Sequence, residues 1–215
     1  MKPPSVELTR DRVLTDDEVR WLWQGCDEIG WPFGPLVKLL LLTGQRRDEV
    51  ADAEWAEIDF AKRLWTIPAH RTKSARANEV HLSDAAMDML RALPRIGERF
   101  VLTTNGQAPI SGFSHCKQRL DAAMAKARGN GEIPNWTLHD LRRTATTGMA
   151  RLNFPPHVVD RILNHSGGTI RGVAAIYNRF AYVDERRAAL EAWGRHVTAL
   201  VSEAPANVVS LRASS

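Results

Sequence analysis

The sequence has little of what marks a secreted, membrane-bound or metal-centred protein. Only two of its 215 residues are cysteines, Cys26 and Cys116. They are far apart and each lies in an amphipathic pattern, so they read as reduced core residues rather than a disulfide or a metal pair. No apolar leader opens the chain, and its longest apolar run, residues 36–42, is interrupted by Lys38 and far too short to span a bilayer. The histidines lack HExxH spacing and no carboxylate cluster accompanies them. A metal-dependent hydrolase built on His139, Asp140 and His165 is therefore the weakest reading. There is no internal repeat, no low-complexity block and no strong interdomain linker. Tyrosine is scarce, with only Tyr177 and Tyr182. These absences lead to the expectation of a soluble, intracellular, cytoplasmic chain.

What is present is ordinary in bulk: 44% hydrophobic, 25% charged, and long enough for one good core. The net charge of +4 favours a polyanion partner, though only weakly. Residues 1–14 read as a lead-in or linker remnant and 15–200 as a single domain, with a tail at 201–215. Thr15 and Glu18 form a capping box, and Val19, Leu22, Cys26 and Ile29 recur at helical spacing behind it. A nearly all-apolar helix is expected from Pro35 to Gly44. The period then changes: residues 64–67 and 79–82 read as two strands flanking a turn that carries Lys73, with a third short strand around residues 55–60. Ser83 caps a helix, residues 99–102 read as a short strand, and Ser111 opens another helix. Residues 184–201 form an amphipathic helix with Leu190, Trp193, Val197 and Leu200 on one stripe. The expected class is mainly α with a small antiparallel β-sheet.

The chemistry concentrates in residues 137–177, which open TLHDLRRTAT and close HSGGTIRGVAAIY. Thr137 and Asp140 are spaced as a cap, and His139 and Arg142 leave one face of the helix that follows. A Pro155-Pro156 helical turn leads to Asn164-His165, and Tyr177 follows. Upstream, Arg46 emerges from the buried helix in TGQRRDE, with Glu49 placed to buttress it. Each residue alone has a bland account: a solvated loop for Arg46, a solubilising hairpin-tip lysine for Lys73, a basic helix face for Arg142 and Arg143, a core aromatic for Tyr177. Together, a guanidinium pair, two imidazoles and a phenol are the parts for holding a phosphodiester and attacking it.

The order TGQRRDE, hairpin lysine, HDLRRT, LNH, tyrosine resembles the catalytic domain of the tyrosine recombinases, the phage-type integrases, over roughly residues 12–195. The string VAAIYNR is similar to the P4-like genomic-island integrases. The resemblance implies the tyrosine-recombinase catalytic-domain fold and assigns Arg46, Lys73, His139, Arg142, His165 and Tyr177 as catalytic, with Glu49 supporting. Arg143 stands where many members have histidine, and Asn164 where LGH has glycine. Tyr182, five residues beyond the motif tyrosine, is the rival nucleophile. The resemblance further implies strand cleavage and rejoining of double-stranded DNA through a 3′-phosphotyrosyl link, with no cofactor, no metal, no ATP and no membrane. It implies a tetramer on paired DNA sites, with a monomer as the isolated domain's alternative state, in a bacterial or phage-encoded, nucleoid-associated protein. The family's N-terminal core-binding domain is expected to be absent. Trp193's helix and the tail are candidates for exchange between protomers. A type IB topoisomerase-like relaxer and a catalytically inactive DNA-binding module stay open beside this reading.

Overall fold

The computed structural model describes residues 11–165 and 181–202. Among these the chain is mainly helical: α1 (Asp16–Ile29), α2 (Phe33–Thr43), α3 (Arg47–Ala51), α4 (Asp84–Ala92), α5 (Phe113–Ala127), α6 (Leu138–Arg151), α7 (Pro156–Ile162) and α8 (Val183–Ser202). One antiparallel sheet runs in the order β1 (Ile58–Asp59), β2 (Leu64–Ile67), β3 (Asn78–His81).

Local chemistry sets the helix starts. Thr15 Oγ1 accepts from the Glu18 N–H at 3.3 Å, and Glu18 Oε2 accepts from the Thr15 N–H at 2.8 Å, a capping box that stabilises α1 by about 1 kcal/mol. Leu14, inside the expected lead-in, is already core at 2% exposure, its N–H bonded to Thr144 Oγ1. α2 begins at Phe33, ahead of the expected Pro35. Pro35 falls in the first turn, where a backbone N–H has no intrahelical acceptor, so the proline breaks nothing. Lys38 interrupts the apolar run harmlessly: its ammonium pairs with Asp27 and lies 4.4 Å from the centre of the Trp23 ring. Gly44 ends α2 at φ +65°, a left-handed conformation in which a side chain is strained.

The hairpin matches the sequence in β2 and starts one residue early in β3, pairing Trp65 with Val80 and Ile67 with Asn78. Trp65, Ile67, Asn78 and Val80 face inward, while Thr66 and Glu79 face out. The third strand is shorter than expected, because Trp55–Glu57 coil into a 3-10 turn before β1. The expected strand at 99–102 does not form. Only Phe100 bridges, to Glu54, and the Arg99 carbonyl and Val101 N–H are used by Trp55 and Ala53. Its apolar run, Phe100 to Leu102, reflects burial of a loop.

One continuous apolar core surrounds α2. α1, α6, α4 and α8 pack on α2, and α1 also lies against α5. The α8 stripe reads as expected: Leu190, Trp193, Val197 and Leu200 are buried. The Trp193 indole donates to the Leu41 carbonyl at 2.8 Å, and its ring lies over Gly148 in α6. α8 thus lays this face on the chain's own core; the rest of the tail lies outside the described residues. A Cβ on Gly148 would stand 2.2 Å from the Trp193 ring. Gly148→Ala should therefore destabilise the fold by about 1–3 kcal/mol or more, read as a lowered urea midpoint; an unchanged midpoint would show that α6 and α8 separate freely.

Both cysteines are free thiols, Cys26 buried with its pKa pushed up by desolvation, Cys116 only partly covered. Among the described residues no helix is long and apolar enough to cross a membrane.

Candidate active site

The site is built where three helix ends meet: the C-terminus of α2, the C-terminus of α7 and the first turns of α6. Arg46 sits at the N-cap position of α3 in an extended conformation. Its N–H donates to Glu49 Oε2 at 3.0 Å and its guanidinium Nη1 to Glu49 Oε1 at 3.1 Å. Glu49 is buried, so one carboxylate both caps the helix and fixes the arginine, whose side chain keeps 26% exposure toward the cleft. The buttress expected from TGQRRDE is present.

Arg142 lies one turn into α6 and is 4% exposed. Its Nη1 donates to the Gly44 carbonyl at 2.8 Å and its Nη2 to the Leu163 carbonyl at 2.6 Å. These carbonyls end α2 and α7, where helix dipoles present negative partial charge. Desolvation, and then the charge of Arg46, bring its pKa down to about 10, with Glu49 opposing. It stays protonated at neutral pH, held by neutral acceptors beside a second cation. Such a pair is an electrostatic seat for an anion.

The α6 start is made by Asp140, whose carboxylate accepts from Thr137 N–H at 2.7 Å and from its hydroxyl at 3.0 Å, and also pairs with Arg143. Arg143, at the position where the resemblance has histidine, thus supports the helix start. His139 is exposed on the same helix start, and its pKa is pulled below 6.5 by desolvation, then by Arg143 and Arg142. His165 follows α7, and its pKa is lowered by desolvation and then by Arg142. Its Nδ1 lies 3.2 Å from Asp160 Oδ1. A carboxylate only accepts, which puts the hydrogen on Nδ1. Asn164 occupies φ +51°, the left-handed region that glycine favours and asparagine tolerates, which accounts for asparagine in LNH.

Arg46 perturbs both histidines and Arg142, so four of the expected residues, with Glu49, form one electrostatic unit. A cleft of about 460 Å³ opens on it, lined by Arg46, Arg47, Lys117, Trp136, His139 and Arg142. Lys73 is exposed in the β2–β3 connection, which is joined to the His165 segment by Asn164 Nδ2 donating to the Arg76 carbonyl at 3.0 Å. Tyr177 lies outside the described residues.

Sequence reading missed the polar pins beneath the site. Gln45 Nε2 donates to Thr43 and Ile162 carbonyls at 2.9 and 3.1 Å. Asn78 Nδ2 donates to Gln45 Oε1 at 3.0 Å and lies 3.3 Å from the Ile162 carbonyl. Gln45 and Asn78 are both buried and tie the arginine loop, the hairpin and the end of α7 together. Gln45 stood inside a recognised motif; Asn78 read only as a turn residue. Among the described residues no three His, Cys, Asp or Glu side chains cluster to hold a metal.

A model described as the phage integrase family matches residues 12–182. Prophage integrase IntA of Escherichia coli (strain K12) is 34% identical over 160 residues, 74% of this chain and 37% of that protein. The integrase of Salmonella phage P22 is 29% identical over 75% of this chain and 43% of its own length, and that of Enterobacteria phage P4 28% over 75% and 39%. The chain spans less than half the length of these relatives. The integrase from mycobacterium phage Brujita superposes with a TM-score of 0.61 at 16% identity, over 89% of this chain and 63% of that one. The Tn1549 transposon integrase in complex with transposon right end DNA gives 0.62 at 17%, over 86% and 67%. At such identities the likeness is one of fold, and that fold is the tyrosine-recombinase catalytic domain. With its motifs in order along that fold, the chain belongs to the phage integrase family.

Proposed function

We propose that residues 15–200 form one catalytic domain that cuts and rejoins double-stranded DNA site-specifically, through a 3′-phosphotyrosyl intermediate. The observation that carries this reading is the Arg46–Arg142 pair in one cleft beside two histidines with lowered pKa. Rigid guanidinium forks match the non-bridging oxygens of a phosphodiester, on which charge grows in the transition state. His139, neutral at pH 7, takes the phenolic proton of Tyr177, and His165 adds a hydrogen bond to the phosphate. The Tyr177 oxygen bonds to phosphorus as the P–O5′ bond breaks, and the electron pair goes to O5′, which receives a proton from Lys73. The ester bond is conserved, so another 5′-hydroxyl reverses the step without ATP. The DNA-bound Tn1549 integrase supports duplex DNA as partner, and assembly as a tetramer on paired sites completes the proposal.

The test is strand transfer in chelator. Protein is incubated with nicked genomic fragments, SDS-stable protein–DNA adducts are precipitated, and joining to a second labelled 5′-hydroxyl strand is followed. Adducts that resolve into joined recombinants are expected. Relaxed plasmid with no joined product would favour a topoisomerase, and binding without any adduct would leave only a DNA-binding module.

The depressed histidines set a pH dependence. Each binds its proton more weakly folded than unfolded, so between its lowered pKa and 6.5 the unfolded chain holds more protons. Stability from these groups is present above about pH 6.5 and declines below it. The kcat/KM for attachment should be flat from about pH 8 to about 6.5 and fall under more acid conditions, as His139 loses its lone pair. A decline beginning near pH 8 would place a different base at the site.

A further inference from the structure

We propose that Arg71 is a positioning residue for proton delivery by Lys73, an inference that rests on the reading of Lys73 as the general acid. An exposed lysine on a flexible stem reaches only as reliably as its backbone is held. The β2–β3 connection spans residues 68–77, long enough to wander, yet it is bolted down at both sides of Lys73. Arg71 Nη1 donates to the Asp52 carbonyl and to both oxygens of Glu57, each at 2.8 Å, and its Nη2 donates to the Glu49 carbonyl at 2.5 Å. The Arg71 and Glu57 side chains are only 12% and 10% exposed, so solvent screens this pair weakly. Glu57 also accepts from the Trp65 indole at 3.0 Å. On the other side, Thr72 Oγ1 donates to the Arg76 carbonyl at 2.7 Å, and that same carbonyl takes Asn164 Nδ2.

Glu49 is where the two halves of the chemistry meet. Its carboxylate grips the guanidinium of Arg46, and its carbonyl accepts from Arg71, two residues before Lys73. The phosphate-holding arginine and the base of the proton-donor loop are thus referenced to one buried residue. Only a planar fork with donors on both Nη atoms spans Glu49, Asp52 and Glu57 together; a lysine in its place keeps the charge but not the span.

The step affected is the departure of O5′: the P–O5′ bond breaks, its electron pair goes to oxygen, and Lys73 ends neutral after giving up a proton. A 5′-bridging sulfur leaves as a stable thiolate and needs no proton. The experiment takes the full chain and a nicked duplex carrying its trapped attachment site, made with oxygen or sulfur at the bridging position. Arg71→Gln should attach to the oxygen duplex about 100-fold more slowly than the unchanged chain, as a misplacement near 1 Å does. On the sulfur duplex it should come within about threefold, because the proton's contribution of roughly 10²–10⁴ no longer enters. Arg46→Lys, which weakens the grip on phosphate, should stay slow on both. Should Arg71→Gln fail to fold, Arg71→Lys, which keeps the charge opposite Glu57, is read in the same way. Equal slowing on both duplexes, with the unchanged chain active, overturns the positioning role alone. An unchanged chain that attaches to neither duplex overturns the reading beneath it as well.

Discussion

Arg142→Lys should lower covalent attachment to DNA about a thousandfold, the upper range for loss of an oxyanion-stabilising donor, while the chain stays folded. The guanidinium bridges the Gly44 and Leu163 carbonyls at 2.8 and 2.6 Å and sits beside Arg46 in a buried position. One ammonium nitrogen is unable to span both carbonyls and also present a planar edge to phosphate. One helix-end carbonyl is left poorly paired, which costs about 1–3 kcal/mol of stability. Thermal unfolding by circular dichroism separates that loss from the chemical one, which is read as single-turnover attachment with protein in excess. A lysine variant within tenfold of the unchanged chain would mean that charge alone suffices and that the carbonyl clamp is incidental. Arg46→Lys should lose less, because Arg46 is partly exposed and fixed through a single carboxylate.

Tyr177→Phe should leave no detectable adduct, with DNA affinity changed by less than about twofold, since contacts of basic side chains to phosphate dominate affinity and the substitution removes none of them. A phenol with an ordinary pKa of about 10 needs the neighbouring positive charge and a base to attack, and the phenyl ring offers no oxygen at all. Tyr182→Phe should leave attachment intact. Tyr182 packs partly buried against the core, with its ring centre 4.8 Å from that of His157 in α7. Its ring packs on α7, so loss of its hydroxyl is expected to leave the chemistry alone. Adduct formation by the Tyr177→Phe chain, lost in Tyr182→Phe, would exchange the two assignments.

How legible all this was in the sequence depended on whether a feature was local. The Thr15–Glu18 and Thr137–Asp140 caps, the end of α2 at Gly44 and the α8 stripe each follow from residues within a turn or two of one another, and the structure has them. Arg46, Glu49, His139, Arg142 and His165 were findable as chemistry-bearing residues in ordered short strings; the fold puts Arg46, His139 and Arg142 on one cleft, bonds Glu49 to Arg46, and sets His165 in the field of both arginines. What was not legible joins distant segments. Arg71 reads as one more basic residue near a hairpin tip until Glu49, Asp52 and Glu57 are seen around it. Asn78 reads as a turn residue until Gln45 and the Ile162 carbonyl accept it into the core. Residues 99–102 carry a strand-like apolar run, yet bury it as a loop against residues 53–55. A stripe on a helix does not say which elements cover it; around Trp193 they are α2 and α6.

The most direct test is to identify the amino acid joined to DNA. The adduct is digested with nuclease and trypsin, and the nucleotide-bearing peptide is sequenced by mass spectrometry. Trypsin separates the two tyrosines, leaving Tyr177 in the peptide of residues 172–179 and Tyr182 in that of 180–186. The account predicts a 3′-nucleotide on Tyr177 in the peptide GVAAIYNR. A nucleotide on Tyr182, on a serine, or on no peptide at all would contradict it.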